Sequence, residues 1–477
     1  MTTVHWFNIL IESFNYFILG YVILIMLSYL ILAFISYSYL ITYLKKNKYN
    51  NYSVLLSLPD APRVSLLAPA YNEANTIKEN VHSLLSINYN NFDIIVINDG
   101  SKDDSMVILI AEFDLFLTDQ VYVDTIKTKK IRGIYKSKNP SFSKLIVVDK
   151  ENGGKADSLN AGINTSINPY IICIDADCIL DKNVILKLAK TFMEQSDTRV
   201  IASGGVIRVA NSCEIKNGKL ISVNAPDNYL ARIQVLEYTR AFLLGRMAWS
   251  KLDGLLIISG AFGMFDKEIA QKCGGYNHAT VGEDMELIVR MRRYMIEQKQ
   301  KYAVQFIPDP LCWTEVPETY QVLGKQRNRW TRGTMETLWI HKKMIFNPKY
   351  KILGILSFPY WLFFEYLAPI IEFIGIIVVL IMIYIGAINW PYFLWLLLFV
   401  YTFAVTFSLI AIFTEEMTYK KYEKHSDIYK LILAAIVEPI IFHPFTSYSA
   451  IRGNWTKITG NNSWGEMTRK GFDNKKK

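Results

Sequence analysis

Cysteine is scarce and unpatterned in this chain. Five thiols occur in 477 residues (Cys173, Cys178, Cys213, Cys273 and Cys312), none of them in a C-x-x-C pair. That spacing excludes a disulfide scaffold and a zinc knuckle, and reduced thiols facing a cytosol are expected. Charge is thin as well: only 20% of residues are Asp, Glu, Lys or Arg, while 51% are hydrophobic and 14% aromatic. Disordered, collagen-like and low-complexity chains are thereby excluded. No long basic stripe interleaved with aromatics runs through the middle of the chain, so the net charge of +9 does not mark a nucleic-acid partner. Basic residues gather instead beside apolar runs, at Lys45, Lys46 and Lys48 and at Arg469, Lys470 and Lys475 to Lys477, a distribution that suits membrane lipids. The P-loop pattern G-x-x-x-x-G-K-[ST] is also absent.

Long apolar runs are what the chain has in quantity. From Ser13 to Leu44 no residue is charged, and at about 1.5 Å per residue such a helix crosses the roughly 30 Å hydrocarbon layer with length to spare. As a cleavable signal it would lack a basic start, carry Glu12 and be too long. An N-terminal transmembrane helix over residues 1–45 is therefore expected, its end held in the cytoplasm by the lysine cluster. A second region, Ile352 to Thr414, contains Glu365 and Glu372 but no Lys or Arg. Pro359, Pro369 and Asn389-Trp390-Pro391 divide it into an interfacial helix near 352–364 and spans near 366–388 and 391–413. A third run, Leu431 to Ala450, is interrupted by Glu438-Pro439 and His443-Pro444 and reads as a span, a kink or a re-entrant segment. Three spans after the first would put the basic tail outside, against the positive-inside rule. Splitting 352–390 into two spans would restore the balance.

Residues 46–350 have the composition of a soluble domain, with interfacial and transmembrane helices following over 351–477. Short apolar runs (Val64 to Ala68, Asp93 to Ile97, Leu145 to Val148, Tyr170 to Ile174) alternate with helical patterns such as Ala74 to Leu85 and Lys155 to Ile163, an α/β signature. Lys127 to Ser143 reads as a basic surface loop, within an insertion from Glu112 to Ser143 that has no assigned role. Ligand sites in α/β sheets gather at the carboxyl ends of strands.

The strand ends carry the chemistry. Pro69-Ala70-Tyr71-Asn72-Glu73 follows the first strand and Asn98-Asp99-Gly100-Ser101-Lys102-Asp103-Asp104 the second. There Asp99 can accept hydrogen bonds from a base or ribose, and Asp103 can cap a helix; turn and cap chemistry alone is the plainer reading. Asn152-Gly153-Gly154-Lys155-Ala156 opens a helix, and its glycines and lysine would let a phosphate approach, although such a turn is often only structural. Ile174-Asp175-Ala176-Asp177 empties an apolar strand into two acids two residues apart. Both can reach a hard cation at the mouth of a loop, or else cap the helix that follows. Gly282-Glu283-Asp284 places acids at a glycine-released helix start, where they can act as general base or merely complement the helix dipole. In Gln326-Arg327-Asn328-Arg329-Trp330, a guanidinium can steady phosphate oxygens and an indole can stack on a sugar. A snorkelling interfacial helix is the rival reading.

In this order and between flanking membrane helices, N-E, D-G-S, G-G-K-A, D-x-D, G-E-D and Q-x-x-R-W resemble the processive family 2 glycosyltransferases, the makers of hyaluronan, cellulose and poly-N-acetylglucosamine. The likeness covers roughly Pro62 to Gly333. It implies a Rossmann-like, mixed-sheet nucleotide-sugar-binding domain joined to α-helical transmembrane segments in a multi-pass plasma-membrane protein with a cytosolic catalytic domain. It also implies inverting, metal-dependent transfer from a nucleotide sugar to a growing polysaccharide, coupled to export. By the same resemblance Tyr71, Glu73, Asp99, Lys155 and Asp175 form the nucleotide-sugar set, and Asp177 with Asp175 holds Mg²⁺ or Mn²⁺. Asp284 is the catalytic base, with Glu283 beside it, and Gln326, Arg329 and Trp330 serve acceptor and diphosphate. UDP-N-acetylglucosamine is the first donor expected and UDP-glucose the next, with room for accessory subunits. A single N-terminal span departs from several of these synthases, which have two. Transfer of one sugar to a lipid such as polyprenyl phosphate or diacylglycerol is the alternative. A catalytically silent membrane nucleotide sensor is a third reading, against which the full set of acids argues.

Overall fold

The strand-forming runs are rich in Val, Ile and Leu on both faces, as expected of strands covered on both sides. In the computed structural model these become the centre of a ten-stranded sheet. The structure describes residues 2–48, 61–119, 121–175, 178–194, 197–216, 219–419 and 422–460. Strands β1 (Val64–Ala70), β2 (Phe92–Asp99), β3 (Leu115–Thr118), β4 (Ile131–Ser137), β5 (Leu145–Lys150), β6 (Tyr170–Ile174) and β7 (Cys178–Leu180) are followed by β8 (Arg199–Val209), β9 (Glu214–Lys216), β10 (Lys219–Ser222), β11 (Phe262–Asp266) and β12 (Tyr302–Thr314). The large sheet runs β3-β4-β5-β2-β1-β6-β11-β8-β12-β7, with β9 and β10 in a separate hairpin. Its heart is parallel: β2 and β6 flank β1, and β5 joins β2. Antiparallel β11 inserts beside β6. The sheet is therefore mixed, a parallel heart with antiparallel strands on both sides. Val64, Leu66, Leu67, Ile94 and Ile172 have no solvent exposure, each such side chain contributing about 1.5–3 kcal/mol by burial.

Helices α1 (Thr2–Asn47), α2 (Ile77–Leu85), α3 (Ser105–Phe113), α4 (Lys155–Thr165), α5 (Val184–Met193), α6 (Tyr229–Thr239), α7 (Met247–Lys251), α8 (Lys267–Lys272), α9 (Glu283–Glu297) and α10 (Tyr320–Ile340) accompany the sheet. Helices α11 (Ala368–Tyr384), α12 (Trp390–Tyr419) and α13 (His425–Ile458) follow. Between α6 and α7 the chain makes a wide-turned π segment, Arg240–Arg246. Lys127 to Ser143 is no plain loop: β4 lies within it and pairs with both β3 and β5. Only Ile134 of this strand is fully buried, and its surroundings, Arg132, Lys136 and the lysines before it, mask the strand in the sequence.

Among the described residues four helices are long and apolar enough to cross a membrane: Ile11–Asn47, Leu353–Tyr384, Trp390–Tyr419 and His425–Ile458. The break expected near Pro369 is slight, a bend at Leu367. Wide π turns at Leu353–Ser357 and Trp361–Tyr366 lead up to it, and α11 starts at Ala368, with Pro369 in its first turn, where a missing N–H leaves little unpaired. The C-terminal part of α1 is bound to the sheet domain: the Ser36 hydroxyl donates to the Leu243 carbonyl at 2.5 Å, and Lys46 pairs with Glu194 at 2.9 Å. Helix α13 touches that domain at both ends. Lys430 lies 3.4 Å from Asp227 near its start, and Lys457 pairs with Glu336 at 2.6 Å near its finish.

Candidate functional site

The loops after β1 and β2 are laced together. Asn72, held at a positive φ of 55°, accepts from the Lys102 amide at 2.9 Å and donates its own amide to the Ser101 hydroxyl at 3.0 Å. Asp103 accepts from the amides of Ala74 (3.0 Å) and Ser105 (3.1 Å), so its carboxylate serves the neighbouring loop as well as the start of α3. Glu73 accepts the Thr76 hydroxyl at 2.7 Å, and Tyr71 is 45% exposed.

Asp99 has partners other than those the sequence suggests. Its buried carboxylate accepts from Lys150 Nζ (2.6 Å), Asn152 Nδ2 (3.2 Å) and the amides of Gly153 (2.9 Å) and Gly154 (2.8 Å). Asp99 thus fixes the two-glycine turn, and Gly154 there adopts a φ of 86° that disfavours side chains. The turn delivers Lys155 to the end of β6. The Lys155 ammonium lies 2.5 Å from Asp175 Oδ1, 2.8 Å from the Gly260 carbonyl and 4.0 Å from Glu283 Oε1. Burial works against that charge, but Asp175, Glu283 and Asp284 outweigh it and raise the Lys155 pKa above its ordinary value.

Glycine contacts set the acceptor side. Gly260 lies so close to Asp284 that a Cβ there would meet its carboxylate oxygen at 2.7 Å. Gly282, just before α9, abuts Gly333 of α10: a Cβ on Gly282 would fall 2.6 Å from the Gly333 Cα. This backbone-to-backbone contact brings the face of α10 that carries Gln326, Arg329 and Trp330 against the start of α9. Glu336 reinforces it by accepting the Val281 amide at 2.9 Å. Arg327 pairs with Glu237 at 2.6 Å, stacks 4.1 Å from the Trp330 ring centroid and so fixes the indole. Glu283 is buried, and desolvation, with the like charge of Asp284, pushes its pKa up to about 7 against the pull of Lys155.

One cavity of about 1850 Å³ gathers most of the expected residues: Lys155, Asp175, Glu283, Asp284, Gln326, Arg329 and Trp330 all line it. It continues between α1, α11, α12 and α13, past Tyr21, Trp361, Phe403 and His443. Tyr71, Glu73 and Asp99 stand outside that lining, and Asp177 lies outside the described residues. Among the described residues no trio of His, Cys, Asp or Glu gathers tightly enough to hold a metal alone. Asp175 nevertheless opens on the cavity with an ammonium already drawn to it, a hard oxygen donor of the type a divalent cation prefers. Sequence reasoning missed Arg246, Gly333 and Glu336. The first sits in a π turn that no residue pattern announces, and the others matter only through contacts distant in sequence.

The profile described as glycosyl transferase family group 2 matches residues 170–409, and that described as glycosyl transferase family 2 matches residues 65–271. The poly-beta-1,6-N-acetyl-D-glucosamine synthase of Staphylococcus epidermidis is 29% identical over 276 residues, 58% of this chain and 55% of that protein. The protein of the same description from Staphylococcus aureus strain MSSA476 is 30% identical over 287 residues, 59% of this chain and 57% of its own. The chain thus spans little more than half the length of these curated relatives. Among solved structures, a mannosyltransferase, PcManGT from Pyrobaculum calidifontis in complex with GDP-Man and Mn²⁺, superposes with a TM-score of 0.50 at 14% identity, covering 91% of this chain and 99% of that one. The likeness is one of fold.

Proposed function

Because the chain belongs to the family 2 glycosyltransferases, we propose that it is a membrane-embedded inverting transferase that moves a sugar from a nucleotide sugar, UDP-N-acetylglucosamine or UDP-glucose, to a growing polysaccharide. The observation that carries this reading is the shared cavity, in which the Lys155–Asp175 pair, Glu283, Asp284 and the Gln326-Arg329-Trp330 face meet and which then runs on among the apolar helices.

In this mechanism Asp284 takes the proton from an acceptor hydroxyl as that oxygen bonds to the anomeric carbon. The bond from that carbon to the diphosphate breaks on the opposite face, so an α-linked donor gives a β-linkage. Lys155 and Arg329 supply fixed positive charge to the departing diphosphate oxygens. Trp330 offers an indole face to the acceptor sugar. Asp175 and Asp177 would hold Mg²⁺ or Mn²⁺, which when bound neutralises diphosphate charge. The mannosyltransferase of like fold was solved in complex with Mn²⁺, which supports a divalent cofactor. Incubating membranes with a panel of UDP-sugars, scoring UDP release and product length, tests the reading; no release with any donor overturns it.

A second reading, transfer of one sugar to a lipid, is favoured by one feature. The membrane end of the cavity has aliphatic walls at Ile376, Val379, Leu380, Leu396 and Val400, which suit a hydrocarbon chain. A short glycolipid in place of a polymer would establish it.

The proposed topology places the sheet domain in the cytosol. Helix α1 enters it at the lysine cluster, residues 353–384 lead out, and α12 leads back. Helix α13, tied to the sheet domain through Asp227 and Glu336 at its two ends, lies along the cytosolic membrane face. The basic tail then stays inside, as the positive-inside rule favours.

A further inference from the structure

Arg246 ends the π segment between α6 and α7 and lines the cavity. π turns are rare and concentrate at functional sites. Its guanidinium carbon sits over the Phe242 ring, 3.8 Å from the centroid. Stacking occupies the face of a guanidinium and leaves its in-plane N–H edge for an oxygen acceptor. Yet Nη1 is buried without a hydrogen-bond partner among the described residues. A buried unpaired donor of this kind is costly unless a ligand satisfies it.

Its place along the cavity follows from the segment that carries it. Arg246 and Asp284 line the same cavity, and the π segment that ends in Arg246 is bound to the apolar helices: the Leu243 carbonyl accepts from Ser36 of α1, and Arg240 pairs with Glu438 of α13. Lys155 and Asp175 instead stand at the end of β6. Arg246 thus reaches the cavity from the side of the apolar helices, and Lys155 from the side of the sheet. The donor diphosphate belongs on the side of Lys155 and Asp175. What approaches Asp284 from the Arg246 side is the acceptor.

We propose that Arg246 is an acceptor-binding residue, its free N–H edge gripping an oxygen of the acceptor's terminal sugar and turning the attacking hydroxyl toward Asp284. This rests on the glycosyltransferase reading above and deepens it. The ligand is an oxygen-rich carbohydrate terminus, and the interaction orients the sugar without exchanging a proton.

The test uses the full-length protein in lipid nanodiscs, with UDP-N-acetylglucosamine or UDP-glucose as donor, the matching β-linked oligosaccharide as acceptor, and the variants Arg246→Gln and Arg246→Lys. Arg246→Gln is expected to raise the acceptor KM about tenfold or more, the weight of a hydrogen bond from a charged group. The donor KM and the affinity for UDP, measured by calorimetry, stay within about twofold. Arg246→Lys recovers part of the acceptor affinity by returning a cationic donor. An acceptor KM that is unchanged in Arg246→Gln, or that rises together with the donor KM, overturns the assignment and leaves the transferase reading intact. Failure of the unaltered protein to transfer from either donor overturns both.

Discussion

Asp284 and Glu283 are adjacent in sequence and unequal in surroundings. Asp284 faces the cavity across Gly260, whereas Glu283 is buried. In Asp284→Asn, transfer is expected to fall by about 10²–10⁴-fold, the usual weight of a general base, with UDP affinity retained; steady-state turnover beside calorimetry checks this, and normal turnover would remove Asp284 from its role. Glu283 makes a prediction about stability. Its pKa rises from 4.5 to about 7 through burial first and the charge of Asp284 second. A carboxyl raised in the folded state favours folding relative to its ionised form, and that advantage is lost as pH climbs from about 4.5 through 7, a difference of up to about 3 kcal/mol. Glu283→Gln should therefore melt higher than the parent at pH 8 and equal to it near pH 4, as thermal denaturation in nanodiscs would report. At this scale the sequence was informative about where single polar residues fall. Lys155 of G-G-K-A, Asp175 of D-x-D and the acids of G-E-D stand at strand and helix ends. It named Asp99 but was silent on its protein partners, four N–H donors about fifty residues away.

Among elements, the pairing of α9 with α10 governs the site. No side chain separates Gly282 from Gly333, and a Cβ on Gly333 would meet the Gly282 Cα at 2.7 Å. Both partners are backbone, so nothing yields cheaply. Gly333→Ala should push the Gln326-to-Trp330 face away from Asp284, reducing turnover about tenfold or more and stability by about 1–3 kcal/mol. Turnover and melting of the variant together test this; wild-type activity would mean that α10 is not what sets the geometry. Strands and helices themselves were legible because hydrophobic periodicity reports them directly, as in β6, which spans Tyr170–Ile174 as read. Element ends were less so: α2 starts at Ile77 rather than Ala74, since the intervening residues are engaged in the turn held by Asp103. The π segment at Arg240–Arg246 was invisible, because a wide turn has no periodic signature of its own.

At the scale of the whole molecule, the contacts of α13 bear on which side of the membrane the basic tail lies. Composition makes α13 look like a span, yet Asp227 and Glu336, which hold its two ends, belong to one domain on one side of the membrane in the proposed topology. Pro439 and Pro444 lie inside it, and Glu438 pairs with Arg240 of the π segment. A reporter fused after the tail should accordingly fluoresce as GFP and be inactive as alkaline phosphatase; the reverse pattern would restore α13 as a crossing. The same arrangement has a further consequence. Only the five residues 385–389 link α11 to α12, so in the proposed topology that bend would expose almost no polypeptide at the outer surface. Proteases added to intact cells would find little there to cut, and an antibody raised against the folded sheet domain would stain only after permeabilisation.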